Sequence, residues 1–203
     1  MSISDFFTLL SEKRLPEAGV CDDEIIVYVA NLLERGAYRK GNPLFYADRL
    51  SDMMKMREKA NNPIKRMILD KKTGDFALLT SGLFPGRFRR KDLYKNWGSE
   101  AYGRVYNYYK EHYEKSIASL YDILSECFGS CVEALNKMAE EDICLDRENN
   151  YEILSVPKDK ESLENFMLDA IRRWKNSGNN VYKNIGLRCA IRLGIENPEQ
   201  LFN

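Results

Sequence analysis

Histidine is almost absent from this chain, because His112 is the only one among 203 residues. A Ser-His-Asp or Cys-His mechanism would therefore have a single possible base. His112 lies outside the apolar periodicity of its segment, so we predict a surface histidine rather than a catalytic or haem-ligating one. Glu-x-x-His pairs, a phosphate-binding glycine loop, a nucleophile elbow and zinc or calcium spacings are also lacking. We predict no catalytic residue, no metal site and no cofactor.

Long apolar runs are lacking as well. No stretch approaches the roughly 18 apolar residues that a membrane-spanning helix needs. The segment MSISDFFTLLSEKR does not resemble a secretory signal, since charges follow its short apolar part at once. Lysine plus arginine equals aspartate plus glutamate, with 31 of each, so no net charge favours nucleic acid or an anionic membrane. We expect a cytoplasmic protein with no membrane partner and with nucleic acid disfavoured, and the sequence leaves its oligomeric state open.

Cysteine is present but follows no disulfide framework. The chain has five cysteines, an odd number, and is large enough to fold without disulfide bonds. We therefore predict reduced thiols, and we expect Cys127 and Cys131 to be small buried side chains rather than metal ligands. Cys127 and Cys131 are four residues apart on a predicted helix, and a metal site there would need two further ligands.

Helical periodicity extends over most of the sequence. We predict an all-α fold, a compact multi-helix bundle of seven to ten helices that forms a single domain over residues 1–203. Residues 143–156 alternate apolar and polar side chains around a turn-rich centre, which is typical of one small β-hairpin. An Asn62-Pro63 start is predicted for one helix, and an Asp159 cap and a Gly178 end for another.

Helix breaks are predicted near Thr73-Gly74 and at Pro85-Gly86. The first break would make residues 76–84 a short, buried central helix. Asp75 would then be its N-cap or, as a second choice, a buried partner of one of the arginines at 87, 89 and 90. Beyond the second break, we expect a short helix over 89–97 and a long helix from about Ser99.

A row of tyrosines opens that long helix. Apolar and aromatic residues step by three or four over more than six turns, which predicts one packing stripe made of Tyr102, Tyr106, Tyr109, Tyr113, Ile117, Leu120 and Leu124. Tyrosine packs a large ring and needs a partner for its hydroxyl. The same residues could instead form the wall of a ligand pocket.

A basic run precedes the stripe, with four cationic side chains among five residues: Arg87, Arg89, Arg90 and Lys91. Such a run is a solvated face, a set of ion pairs with acidic helices, or a site for phosphate, carboxylate or nucleic acid. The candidate ligand-binding residues are therefore Arg87, Arg89, Arg90, Tyr102, Tyr106 and Tyr109.

Three functions follow from these candidates. We expect a non-enzymatic helical protein that binds a protein partner or a small ligand near residues 74–113. The first alternative is an enzyme or cofactor binder whose pocket is lined by Tyr102, Tyr106 and Tyr109, with Arg87 or Arg104 as the anion anchor. The second alternative is nucleic-acid binding through Arg87–Lys91, which would depend steeply on salt.

Three segments together resemble a family of all-helical bacterial proteins that has no assigned activity. They are GDFALLTSGLFPGRFRR at 74–90, YKNWGSEAYGRV at 94–105 and IRRWKNSGNNVYKNIGLRCAIRLGI at 171–195. The resemblance implies a helical fold, and it implies no catalytic or binding residue.

Overall fold

The computed structural model describes residues 3–38, 50–84, 91–113, 115–145, 153–155, 159–178 and 180–202. These residues form nine α-helices, which confirms the predicted all-α bundle of seven to ten helices. The helices are α1 (Ile3–Glu17), α2 (Asp23–Tyr38), α3 (Leu50–Lys59), α4 (Pro63–Leu83), α5 (Lys91–His112), α6 (Lys115–Glu126), α7 (Phe128–Lys137), α8 (Lys160–Ser177) and α9 (Asn180–Arg192).

Shorter elements complete the described chain. A π-helical turn, Met138–Asp142, follows α7, and a 3-10 helix, Pro198–Phe202, follows α9. Strands β1 (Ile143–Leu145) and β2 (Ile153–Ser155) pair in antiparallel register within the segment predicted as a hairpin, with Cys144 opposite Leu154. The chain separates into two compact units, one within Met1–Ala139 and the other within Glu140–Asn203. The single-domain organisation stays a prediction.

Local capping explains where two of the helices begin. The Asn62 side chain accepts hydrogen bonds from the backbone nitrogens of Ile64 at 2.8 Å and Lys65 at 3.4 Å, and Pro63 occupies the first helical position. The Asp159 carboxylate likewise accepts from the backbone nitrogen of Ser162 at 2.8 Å at the start of α8. The helix start at Asn62-Pro63 and the Asp159 cap were both predicted from the sequence and are confirmed.

Helix α4 is the centre of the first unit and packs against α3, α5 and α7. Its second half is buried on nearly every side, as its apolar composition predicts. The predicted break at Thr73-Gly74 is wrong, because α4 continues through both residues to Leu83. A Cβ atom built on Gly74 would lie 2.6 Å from Cε1 of Tyr102, so the glycine makes room for that ring.

Helix α5 is also continuous, which corrects the expectation of a short helix over 89–97 followed by a second one from Ser99. Gly98 lies between the two expected helices but does not interrupt α5. A Cβ atom on Gly98 would lie 2.2 Å from Cζ of Phe128 and 2.9 Å from Cβ of Ala77. This glycine therefore permits close packing of α5 on α4 and α7, and it does not end a helix.

The predicted stripe from Tyr102 to Leu124 is not one helical face. Helix α5 ends at His112, and α6 begins at Lys115 and runs back along α5, so that Ser125 Oγ donates to the Ser99 carbonyl at 2.9 Å. Tyr113 and Ile117, in the middle of the stripe, are 57% and 49% exposed. Tyr102 on α5 and Tyr121 on α6 face each other across this helical hairpin, with ring centroids 6.0 Å apart.

The second unit has its own small core. Helices α8 and α9 pack together through Leu163, Met167, Ala170, Ile185, Cys189 and Ala190. Gly178, between the two helices, has φ of 67° and ends α8 in the left-handed conformation, as predicted.

Candidate functional site

The carboxylate of Asp75 is buried in the middle of α4 and accepts three hydrogen bonds from side chains. Tyr28 Oη of α2 donates to Oδ1 at 2.5 Å, and Tyr102 Oη of α5 donates to the same oxygen at 2.8 Å. Lys71 Nζ, one turn earlier on α4, donates to Oδ2 at 2.8 Å. These four residues form the Asp75 network, which joins three helices around one charge.

This position corrects the prediction that Asp75 is an N-cap. Residue 75 lies in the interior of α4, where its own backbone nitrogen belongs to the helical ladder. A buried carboxylate is costly unless hydrogen bonds and an opposite charge compensate it. Two phenols and the Lys71 ammonium supply that compensation, so Asp75 is accommodated inside the bundle.

Aromatic rings surround the Asp75 network. The Tyr102 ring is fully buried, with its centroid 6.2 Å from that of Tyr28, 6.0 Å from that of Tyr121 and 5.9 Å from that of Phe128. Tyr109 stacks in parallel on Tyr121 at 5.6 Å. The rings keep water away from the Asp75 carboxylate and fix the directions of the phenol groups.

Burial and the neighbouring carboxylate act together on the phenols. Burial, followed by the negative charge of Asp75, raises the pKa of Tyr28 and the pKa of Tyr102 well above the ordinary value of 10.0. Burial also raises the pKa of Tyr121, with the Tyr109 phenol as the next cause. The phenols therefore stay protonated at neutral pH and act as hydrogen-bond donors rather than as bases.

A second buried carboxylate lies five residues earlier on α4. Asp70 Oδ1 accepts from Nε of Arg57, on α3, at 2.7 Å and from Nε of Arg104, on α5, at 2.8 Å. Arg104 also lies 3.6 Å from the Glu100 carboxylate. The side chain suggested as an anion anchor thus holds α5 against α4 through Asp70.

The Asp75 network borders a pocket between α2 and α4. The pocket has a volume of about 120 Å³ and is lined by Tyr28, Asn31, Leu32, Arg35 and Lys71. Lys71 Nζ donates to Tyr28 Oη at 2.9 Å as well as to Asp75, which fixes the ammonium group beside the Tyr28 ring. Arg35 and Asn31 are exposed and form the mouth, and Leu32 is buried. A cation is thus held in place at the base of an open pocket.

The predicted site residues divide into three groups. Tyr102 belongs to the Asp75 network, and Tyr109 belongs to the surrounding aromatic cluster. Tyr106 is half-buried, and Lys110 Nζ lies 5.2 Å from the centre of its ring. Arg87, Arg89 and Arg90 lie outside the described residues.

The sequence patterns did not identify Tyr28, Arg35 and Lys71 as candidate site residues. One signal was available, because Lys71 precedes Asp75 by four residues, and this spacing places an opposite charge one helical turn away. Tyr28 gave no separate signal, since it stands among apolar residues of α2. Its partner is 47 positions away along the chain, a distance that helical periodicity does not address.

The second unit contains a smaller pocket lined by Phe166, Asp169, Ala170, Arg173, Tyr182 and Ile185. Its volume is about 40 Å³, enough for roughly three water molecules. Arg173 Nε donates to Asp169 Oδ2 at 2.7 Å at its edge. The pocket is too small to compete with the one between α2 and α4 as a ligand site.

The remaining predicted features can also be placed. His112 is exposed and stacks on Tyr108 at 4.4 Å, with Nδ1 2.9 Å from the Tyr108 carbonyl oxygen. Of the two cysteines predicted to be buried, Cys131 is buried and Cys127 is half-buried; Cys189 is also buried, and Cys21 lies exposed in the turn between α1 and α2. Within the described ranges, no three His, Cys, Asp or Glu side chains gather as metal ligands. In the same ranges, no helix has the length and apolar character of a membrane span.

Comparison of the chain with protein-family models, with curated proteins and with solved structures gives no significant match.

Proposed function

We propose that this protein is a non-enzymatic binding protein whose ligand is a small anion, a carboxylate or a phosphate, held in the pocket between α2 and α4. The observation that carries the proposal is the placement of Lys71. Its Nζ is fixed by Asp75 at 2.8 Å and by Tyr28 at 2.9 Å, and the same side chain lines the pocket. An ammonium group has three donors, so one remains for a ligand after these two bonds.

The charges around the pocket favour an anion. Among the five side chains that line the pocket, Arg35 and Lys71 are positively charged and the other three are neutral. A guanidinium group binds carboxylate and phosphate through two parallel hydrogen bonds, and an Asn31 amide can donate a further one. The faces of Tyr28 and Leu32 supply the apolar wall that small-molecule sites usually have.

The size of the pocket limits the ligand. Typical ligand pockets enclose roughly 300–1,000 Å³, whereas this one measures about 120 Å³. Inorganic phosphate and short dicarboxylates such as succinate are of suitable size. A nucleotide or an extended cofactor would have to leave most of its surface outside.

A binding role fits the chemistry of the Asp75 network better than catalysis does. The raised pKa values of Tyr28 and Tyr102 keep both phenols protonated at neutral pH. The Asp75 carboxylate already accepts three hydrogen bonds and is paired with Lys71. A general base must be deprotonated near the working pH, which the raised pKa values of the two phenols prevent, and the Asp75 carboxylate is engaged by three donors of the bundle.

We also propose a cytoplasmic location. Cys21, Cys127, Cys131 and Cys189 are all free thiols. Reduced cysteines are typical of the cytoplasm, where thiol-based reductants keep disulfides from forming.

Calorimetric titration of the purified protein with succinate and with inorganic phosphate, at constant ionic strength, tests the proposed function. We expect saturable binding of at least one anion. Arg35→Gln should weaken it by about tenfold or more, because a hydrogen bond to a charged group contributes roughly 1.5–3 kcal/mol. Arg35 is a better target than Lys71 because Asp75 keeps its three donors, Tyr28, Tyr102 and Lys71, when Arg35 is replaced.

Lys72→Gln is the matched control for charge. Lys72 is the next residue after Lys71 on α4, but it is exposed and is not among the side chains that line the pocket. The control variant should bind as the parent protein does. Equal affinity of the Arg35→Gln variant and the parent protein, or no saturable binding of either anion, contradicts the proposed function.

A further inference from the structure

Cys127 and Cys131 form a close pair of thiols at the start of α7. Their sulfur atoms are 3.6 Å apart, within hydrogen-bonding distance for thiols. Cys127 is the N-cap residue and is half-buried, whereas Cys131, one turn further on, is fully buried. The backbone nitrogen of Cys131 donates to the Cys127 carbonyl at 2.9 Å, so a regular turn holds the two side chains together.

The two sulfurs differ in reactivity. The hydrogen bond from Cys131 lowers the pKa of Cys127, and a hydrogen bond from the backbone of Cys127 itself acts in the same direction. Burial and the negative charges of Asp22 and Glu126 oppose that shift. The pKa of Cys131 is raised by its hydrogen bond to Cys127 and by burial. The pair thus combines an accessible nucleophile with a buried thiol directly behind it.

We propose that Cys127 and Cys131 are a hydroperoxide-reactive dithiol that closes to an intramolecular disulfide. The Cys127 thiolate attacks one oxygen of the hydroperoxide, which breaks the O–O bond and gives a sulfenic acid and, after protonation, water or an alcohol. The Cys131 sulfur then attacks the Cys127 sulfur and displaces hydroxide, which takes up the Cys131 proton and leaves as water. Two electrons pass from the two thiols to the peroxide. One peroxide oxygen leaves as water or alcohol in the first step, and the other leaves as water in the second.

The geometry permits this closure with a small movement. A disulfide has an S–S length of about 2.05 Å, so the sulfurs, now 3.6 Å apart, must approach by roughly 1.5 Å. Residues four apart in a helix have Cα atoms about 6 Å apart, within the range that disulfides span. Because Cys127 is the N-cap, its torsions can change while the rest of α7 keeps its hydrogen bonds.

Titration of the fully reduced wild-type chain with hydrogen peroxide tests the proposal directly. Unreacted thiols would be alkylated after denaturation, and the peptides would be mapped by mass spectrometry. We expect one equivalent of peroxide to remove two thiols together and to yield a linked peptide that contains Cys127 and Cys131. Cys21 is exposed, so it measures ordinary surface-thiol reactivity in the same sample.

Two serine variants identify the order of the steps. Cys131→Ser should stop the reaction at a Cys127 sulfenic acid that dimedone traps, and Cys127→Ser should leave Cys131 alkylatable. The proposal is overturned if Cys21 is oxidised before Cys127 in the wild-type chain. It is also overturned if Cys127 passes to sulfinic acid without a link, or if the link joins either residue to another cysteine. These wild-type outcomes decide the proposal even if a variant folds poorly.

Discussion

Tyr102 Oη donates a 2.8 Å hydrogen bond to Oδ1 of Asp75, and this bond joins the interior of α5 to the interior of α4. The Tyr102 side chain is fully buried and the Asp75 residue is 5% exposed, so water cannot replace either partner. The tyrosine ring lies over Gly74, the residue before Asp75. Close helix packing and the buried polar network therefore depend on the same two adjacent positions in α4.

Tyr102→Phe removes one of the three donors to Asp75 and keeps the ring. We expect a loss of about 1.5–3 kcal/mol in the free energy of unfolding, because a hydrogen bond to a buried carboxylate is lost. Urea denaturation followed by circular dichroism measures the change. Tyr106→Phe is the control, since Tyr106 is half-buried and should change stability by no more than about 0.5 kcal/mol. Equal stability of the two variants would show that the Asp75 bond contributes nothing.

Gly74→Ala should destabilise the protein although alanine is the better helix former. The added Cβ would lie 2.6 Å from Tyr102 Cε1, and the ring is held by Asp75 and Phe128, so we expect a loss of about 1–3 kcal/mol. Gly129→Ala in α7 is the matched control, because a Cβ there meets nothing within 4 Å. The control should gain up to about 1 kcal/mol. A stabilised Gly74→Ala variant in thermal or urea unfolding contradicts the packing described here.

Arg57 and Arg104 both pair with Asp70, so we expect the effects of replacing them on the free energy of unfolding to be strongly non-additive. Each lies within 2.8 Å of the same carboxylate oxygen, so either one alone can still pair with Asp70. We expect Arg57→Met and Arg104→Met each to cost about 1 kcal/mol. The double variant leaves a buried carboxylate without a cation and should cost about 3–5 kcal/mol. A double-mutant cycle in urea measures the difference, and simple additivity would show that the arginines act independently.

Stability should fall as the pH rises above about 10, the ordinary tyrosine pKa. Burial and Asp75 raise the pKa of Tyr28 and of Tyr102 in the folded state. Between the unfolded and folded pKa values the unfolded chain binds fewer protons than the folded chain, so each unit of pH favours unfolding. Urea titrations at several alkaline pH values measure the slope. Tyr28→Phe should make that slope shallower, and an unchanged slope would contradict the raised pKa of Tyr28.

The sequence predicted helix content and caps better than it predicted breaks. The Asn62-Pro63 start, the Asp159 cap and the Gly178 end depend on local backbone chemistry, which neighbouring residues determine. Gly74 and Gly98 were misread because glycine marks a break in a local pattern. In the bundle, the rings of Tyr102 and Phe128 occupy the space that a side chain at Gly74 and at Gly98 would need. Only the tertiary contact distinguishes these two functions of glycine.

The candidate site was predictable only in part. Tyr102 and Tyr109 stood out because the tyrosine row is dense, and Asp75 stood out as a charge in an apolar run. The pocket itself is formed by α2 and α4, whose facing residues Tyr28 and Lys71 are 43 positions apart. Periodicity identifies the buried face of each helix, but it does not determine which helices meet.

Heteronuclear NMR of the backbone amides during a titration with succinate or phosphate locates the bound anion in the fold. We expect saturable shifts that centre on Arg35 in α2 and Lys71 in α4, the two cations that line the pocket. Shifts that centre on Arg87–Lys91 instead, or that grow linearly without saturation, would contradict the proposed site.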